Sequence, residues 1–228
     1  MEKKEFVAVA LDGPSGAGKS TVARAVAKER GYVYVDTGAI YRTLGLAVQR
    51  AGLASKDSAG ILSLLPEIRI DIAYGADGVQ RMLLDGEDVS DEIRTPGSAR
   101  YASDVSTLPE VRAFLLNMQR NLAKTHDVIM DGRDIGTVVL PDAQVKIFLT
   151  ASPEERAKRR WLELTERGAE TDYAQVLRDI AYRDEQDSSR TSAPLRPAED
   201  AVILDTGDMT FSESVSAVCA LIDKALSA

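Results

Sequence analysis

Eight consecutive residues carry the strongest chemical signal in the chain. Gly13-Pro14-Ser15-Gly16-Ala17-Gly18-Lys19-Ser20 fits the pattern G-x-x-x-x-G-K-[ST]. Glycines at 13, 16 and 18 let the backbone bend so that successive N–H groups point inward at phosphate oxygens. A helix starting just after them would add the positive end of its dipole. Lys19 is placed to reach the β and γ phosphates of a nucleoside triphosphate, and Ser20 offers a hydroxyl to Mg²⁺. Thr21 completes this ATP-binding run.

A phosphate loop alone does not choose between a switch, a motor and a small-molecule kinase. A GTP switch should carry N-K-x-D, yet the two asparagines, Asn117 and Asn121, do not precede lysine. A motor ATPase usually shows an apolar strand ending Asp-Glu. The matching strand here ends Asp131-Gly132-Arg133-Asp134, and an arginine at that place suggests a second anion held beside the first. Arginines recur at comparable places. Arg42 follows Asp36-Thr37-Gly38 by one helical turn. Arg156, Arg159 and Arg160 have helical spacing that puts them on one face. Arg183 and Arg190 flank Asp184-Glu185-Gln186-Asp187.

These residues need a frame, and the apolar pattern supplies one. Phe6–Leu11, Tyr32–Val35, Val128–Met130, Val145–Leu149 and Ala201–Leu204 read as short buried strands. Helices are expected between them over Thr21–Glu29, Ala39–Ala51, from a capping-box pattern at Thr107 and Glu110, from Ser152-Pro153, and from near Thr210. Alternation of this kind predicts an α/β fold, a five-stranded parallel sheet flanked by helices. The middle breaks the alternation. Ile68–Ala73 and Val79–Leu84, joined through Gly75-Ala76-Asp77-Gly78, read as an antiparallel hairpin. The expected division is therefore a core over 1–63 and 105–228 with an insertion at about 64–104.

Composition limits the partners. The chain has 228 residues, 44% hydrophobic and 28% charged, with net charge −8. That balance argues against a broad basic surface for nucleic acid, but not against a small anionic ligand. Arginines number 19 against nine lysines, a bias that suits bidentate phosphate contact. The single cysteine, Cys219, cannot form an intramolecular bridge and is expected to be buried. No apolar run reaches the length of a signal-peptide core or a membrane span, so the chain is read as cytoplasmic with no membrane partner.

Taken together and in order, four segments resemble the bacterial cytidylate kinase family of P-loop nucleoside monophosphate kinases. They are Asp12–Ser20, Asp36-Thr-Gly-Ala-Ile-Tyr-Arg42, Asp131-Gly-Arg-Asp-Ile-Gly-Thr137 and Arg183-Asp-Glu-Gln-Asp-Ser-Ser-Arg190, supported by Ala193-Pro-Leu195 and Leu204-Asp-Thr206. The resemblance implies a P-loop NTPase fold with an inserted monophosphate-binding subdomain and a short lid at about 153–172. It implies ATP and Mg²⁺ and transfer of the γ-phosphoryl group to CMP and dCMP; the chain itself is expected to act as a monomer. Thr37, Ser103, Arg112 and Asp134 would lie around the base and its phosphate. Arg42, Arg133 and Arg190 would hold the phosphate, and Arg183 and Asp187 would meet the sugar. Arg159 and Arg160 would sit in the lid over ATP. Lys19, Arg133, Arg159, Arg160 and Arg190 would form the catalytic set. Thr37 stands where many members have serine, and the hydroxyl is kept.

Such a reaction needs no general base, because its acceptor is a phosphate oxygen already deprotonated at neutral pH. A chain with one histidine, His126, agrees with that. Two alternatives stay open at this level: a P-loop kinase for another acceptor, such as UMP or a metabolite hydroxyl, and a nucleotide-binding switch without turnover.

Overall fold

The computed structural model describes residues 6–166 and 168–227. Residues 1–5 and Ala228 of the expected core, and Arg167 of the expected lid, lie outside the described residues. The parallel sheet has five strands in the order β2-β6-β1-β7-β8. By compactness the chain divides into two units, one of residues 1–32 with 127–228 and one of residues 33–126.

The first unit begins with β1 (Ala8–Asp12), every residue of which is buried. α1 (Lys19–Arg30) follows, with β6 (Val128–Gly132), β7 (Val145–Thr150), α6 (Pro153–Glu166), α7 (Tyr173–Ser189), β8 (Val202–Asp205) and α8 (Phe211–Leu226) after the other unit. β1 pairs parallel with β6 and β7, and β7 pairs parallel with β8. The register sets Asp12 level with Gly132, so two strands deliver their polar ends to one edge. That is the place where open parallel sheets build sites.

Helix α1 starts two residues earlier than the apolar pattern alone suggests. Gly18 takes a left-handed backbone, φ 86°, and serves as its N-cap. Lys19 and Ser20 therefore stand in the first turn of the helix, where its amides are unpaired. Gly31, also left-handed, closes the helix as expected. α8 starts where the sequence places it, at an N-cap Thr210 completed by a reciprocal bond from Glu213. Cys219 on that helix is buried, as expected.

β8 departs from the expected pattern. Its apolar run predicts burial, but Val202 and Ile203 are exposed, Ile203 at 61%. The strand is the last in the sheet order, and an apolar run does not distinguish an edge strand from a central one.

The second unit holds β2 (Val33–Asp36), α2 (Thr37–Arg50), α3 (Ser58–Leu64), β3 (Ile70–Tyr74), β4 (Gln80–Leu84), β5 (Glu87–Asp88), α4 (Pro96–Val105) and α5 (Pro109–Ala123). The hairpin β3–β4 is present and antiparallel, and β5 adds a short third strand. α3 and α4 have no counterpart in the apolar periodicity. α2 starts at Thr37, not Ala39, because the Asp36 carboxylate accepts from the Ala39 N–H at 2.8 Å and fixes the N-terminus there. The capping box expected at Thr107 and Glu110 does not form. Leu108 is the N-cap of α5, Pro109 takes the first helical position, and the Thr107 hydroxyl donates to the Asp104 carbonyl instead. Proline's fixed φ is enough to start this helix without a side-chain cap.

Candidate active site

In the first unit the phosphate loop runs from buried β1 into α1. Gly13 has φ 148°, and a Cβ there would lie 2.0 Å from the Leu149 carbonyl oxygen on β7. No other residue fits that approach. A Cβ at Gly16 would press on Arg156, 3.1 Å from its carbonyl oxygen. The loop is thus moulded against its neighbours and not merely permissive.

Lys19 is buried, and its Nζ donates to the Pro14 carbonyl at 2.8 Å. Burial pushes its pKa well below the usual lysine value, and the Arg133 guanidinium pushes the same way. Asp131 and Asp187 oppose them. Negative charge placed at this loop would act in the same sense as Asp131 and Asp187.

The Ser20 hydroxyl donates to Asp131 Oδ2 at 2.6 Å. Asp131 ends the buried strand β6, so its carboxylate is carried to the foot of α1. The sequence marks this strand exit but assigns Asp131 no role. Asp12, at the matching end of β1, is equally without a role at that level. Its two oxygens accept from the Ile135 and Gly136 N–H groups at 2.8 and 2.7 Å. Burial raises the Asp12 carboxyl to about 6 against the pull of those two donors. Its bonds fix the start of a π-helical turn, Ile135–Val139, directly after Arg133 and Asp134.

Arg133 and Arg190 meet on one carboxylate. Arg133 Nε donates to Asp187 Oδ2 at 2.8 Å and Arg190 Nη2 donates to Asp187 Oδ1. Arg133 Nη1 also donates to the Gly132 carbonyl at 3.1 Å. Burial works against charge on Asp187, but Arg133 and Arg190, aided by Arg183 one helical turn earlier, hold it below the usual carboxylate range. Asp134 is buried beside them. The structure thus gathers Arg133, Asp187 and Arg190, with Arg183 on the same helix.

The helical arginines separate. Arg159 donates to the Thr206 carbonyl at 2.5 Å and to the Gly207 carbonyl at 3.3 Å, beyond the exit of β8. Arg160 is half exposed and pairs with Glu163. Arg156 is buried, and its guanidinium donates to the Ser15 carbonyl, the Ala151 carbonyl and Asp184. It fastens the phosphate loop to α6 and α7. Spacing marks Arg156 only as a member of the arginine face. Its burial is not readable from spacing, because charged residues are seldom buried.

In the second unit Thr37 is buried at the first position of α2. Arg42, one turn on, donates to Asp36 Oδ2 at 3.0 Å. Arg112 is buried on α5, lies 5.6 Å over the Tyr41 ring and donates to the Ser106 carbonyl. Ser103 stands on α4, its carbonyl accepting from the Ser106 hydroxyl at 2.8 Å. Thr37, Arg42, Ser103 and Arg112 thus all belong to this unit, where α2 and α4 pack together.

Among the described residues no group of three or more His, Cys, Asp or Glu could hold a metal ion by itself. The hydroxyl of Ser20 and the carboxylate of Asp131 nevertheless fit a cation that completes its shell with water and phosphate oxygens. No described helix is long and apolar enough to cross a membrane.

A relative named cytidylate kinase from Caldicellulosiruptor saccharolyticus is 52% identical over 218 residues, covering 96% of each chain. One of the same name from Lactobacillus johnsonii is 47% identical and covers 98% of each. A solved structure of an uncharacterized protein from Eubacterium ventriosum shares the fold, with TM-score 0.53 at 12% identity over 95% of this chain and 98% of its own. The sequence pattern of the family described as cytidylate kinase matches residues 9–224, and this chain belongs to that family.

Proposed function

We propose that the protein transfers the γ-phosphoryl group of ATP to CMP, giving ADP and CDP, and that dCMP also serves as acceptor. The observation that carries this reading is the pairing of a complete phosphate loop with two arginines held on one buried carboxylate in the same unit. A hydrolase needs one anion site and an activated water. A phosphate-to-phosphate kinase needs a second anion site and no base.

Gly13 to Thr21 would bind the ATP phosphates. Lys19 would leave the Pro14 carbonyl for the β and γ oxygens, whose negative charge favours its ammonium form. The Ser20 hydroxyl, with Asp131 behind it, would hold Mg²⁺, which would supply charge neutralisation to the triphosphate. Arg42, Arg133 and Arg190 would grip the CMP phosphate. Thr37, Ser103, Arg112 and Asp134 would surround base and phosphate, and Arg183 and Asp187 the sugar. Residues 64–104 would act as the acceptor subdomain. Residues 153–172 would act as a lid, bringing Arg159 and Arg160 over ATP and excluding water. Catalysis is then alignment and charge stabilisation, with no proton removed by the protein. The chain is read as a cytoplasmic monomer.

Coupled ADP release with a panel of acceptors tests this. Rapid turnover with CMP and dCMP, slow turnover with UMP and none with hydroxyl acceptors is expected. ADP release that does not depend on any nucleoside monophosphate would sink the proposal.

A further inference from the structure

The hairpin β3–β4 carries a side chain that no motif singles out. Gln80 is the first residue of β4, polar yet 8% exposed. Its Oε1 accepts from the Asp36 N–H at 2.7 Å, and its Nε2 donates to the Asp36 carbonyl at 3.2 Å and to Met82 Sδ at 3.1 Å. The amide thus grips both backbone groups of one residue. In an extended chain the N–H and C=O of a residue point to the same side, and a side-chain amide offers an acceptor and a donor that match them. Gln80 therefore does for Asp36 what a neighbouring strand would do.

Its cross-strand partner continues the grip. Tyr74 lies opposite Gln80 in the hairpin register. Its hydroxyl donates to the Tyr34 carbonyl at 3.0 Å. Tyr34 and Asp36 are two apart on β2, so their carbonyls face the same way. One rung of the hairpin thus holds two successive rungs of β2.

Holding the backbone of Asp36 leaves its carboxylate free for two other tasks. One oxygen caps α2 through the Ala39 N–H, and the other takes Arg42. Space there is tight: a Cβ at Gly38 would lie 3.0 Å from Arg42 Nη1 and 3.2 Å from Asp36 Oδ1. A tilt of the Asp36 peptide would move the cap, Thr37 and the Arg42 guanidinium together.

We infer that Gln80 is a positioning residue for the acceptor: by clamping both backbone groups of Asp36 it fixes Thr37 and Arg42 in the geometry that receives the monophosphate. The inference rests on the acceptor role proposed above for Thr37 and Arg42. It makes the hairpin part of the acceptor site without any contact between Gln80 and substrate.

Gln80→Met keeps the length and volume of the side chain and removes both bonds to Asp36. Losing two buried hydrogen bonds should raise KM for CMP about tenfold, while KM for ATP and kcat each stay within about threefold. Hydrogen exchange at the amides of residues 36–42 should quicken in the same variant. CMP and ATP constants that stay unchanged or rise together would overturn the inference, as would unchanged exchange. Tyr74→Phe removes one hydroxyl from the same clamp and should move KM for CMP in the same direction by a smaller factor. It decides the matter if Gln80→Met does not fold, and no change in its KM for CMP overturns the inference. A parent protein with no CMP-dependent turnover would instead remove the functional reading beneath it, which the exchange measurement does not depend on.

Discussion

Each unit of the molecule anchors arginine with aspartate, but the two do it differently. In the first, Asp187 holds Arg133 and Arg190 at once, and its side chain is only 6% exposed. In the second, Asp36 holds only Arg42 among described ion pairs, is 16% exposed, and spends its other oxygen on a helix cap. A buried carboxylate between two guanidiniums is a deep electrostatic well, costly to break because it strands charge away from water. A partly exposed pair that doubles as a cap is softer, since water can reach either partner. The first arrangement suits groups that must be in place when charge develops on the transferring phosphoryl group. The second suits a group whose position the ion pair alone does not fix, so that the Gln80 clamp on the Asp36 backbone has to hold it.

The largest expected effect lies in the stiff unit. Lys19→Ala should lower kcat by about a thousandfold, as removal of a preorganised charge stabiliser does. The fold should persist, because a buried lysine with one backbone partner stabilises little, and circular dichroism would check that. Folded protein with near-normal turnover would break the account of the phosphate loop. Next in size is Asp187→Asn, which leaves Arg133 and Arg190 without their shared charge. Stability should fall by roughly 3 kcal/mol, and CMP should recover part of it by supplying a phosphate. A denaturation midpoint that CMP does not raise more in the variant than in the parent would separate Asp187 from the acceptor site.

Asp134→Asn tests choice of base. A carboxylate can accept from the cytosine N4 amino group but opposes the uracil O4. The amide can donate to it, so the ratio of kcat/KM for CMP over UMP should narrow by about tenfold. If Asp134 only orients Arg133, both acceptors weaken together and the ratio holds. The smallest effect is expected at Asp36→Asn. Asparagine caps helices as well as aspartate does, so the midpoint should hardly move while KM for CMP rises about fivefold through loss of a partly exposed ion pair. A loss of stability as large as that of Asp187→Asn would erase the contrast between the units.

Much of this is legible in the sequence, for identifiable reasons. The phosphate loop is a local device, so its glycines, lysine and serine sit together in the chain and declare themselves. Four of the five strands appear as buried runs because parallel strands are covered on both faces. β8 reads the same but lies exposed, since edge position depends on sheet order and not on composition. The arginine clusters are visible, and so are local pairs such as Arg190 with Asp187, but the long-range partners are not. Arg133 and Asp187 are 54 residues apart, and Arg156 reaches Ser15 across 141. No spacing rule links such pairs. Gln80 is silent for the same reason: its partner Asp36 is 44 residues away on another element. α4 escapes notice because Pro96 opens it and small and polar residues make up most of its length.

The central claim is transfer between two nucleotides, and following the phosphoryl group itself tests it most directly. Protein, Mg²⁺, CMP and ATP labelled in the γ-phosphoryl group would be mixed and the products separated. The account predicts that the label moves into CDP, one CDP for each ADP, with little inorganic phosphate. Label released only as inorganic phosphate, or retained in ATP when CMP is present, would contradict it.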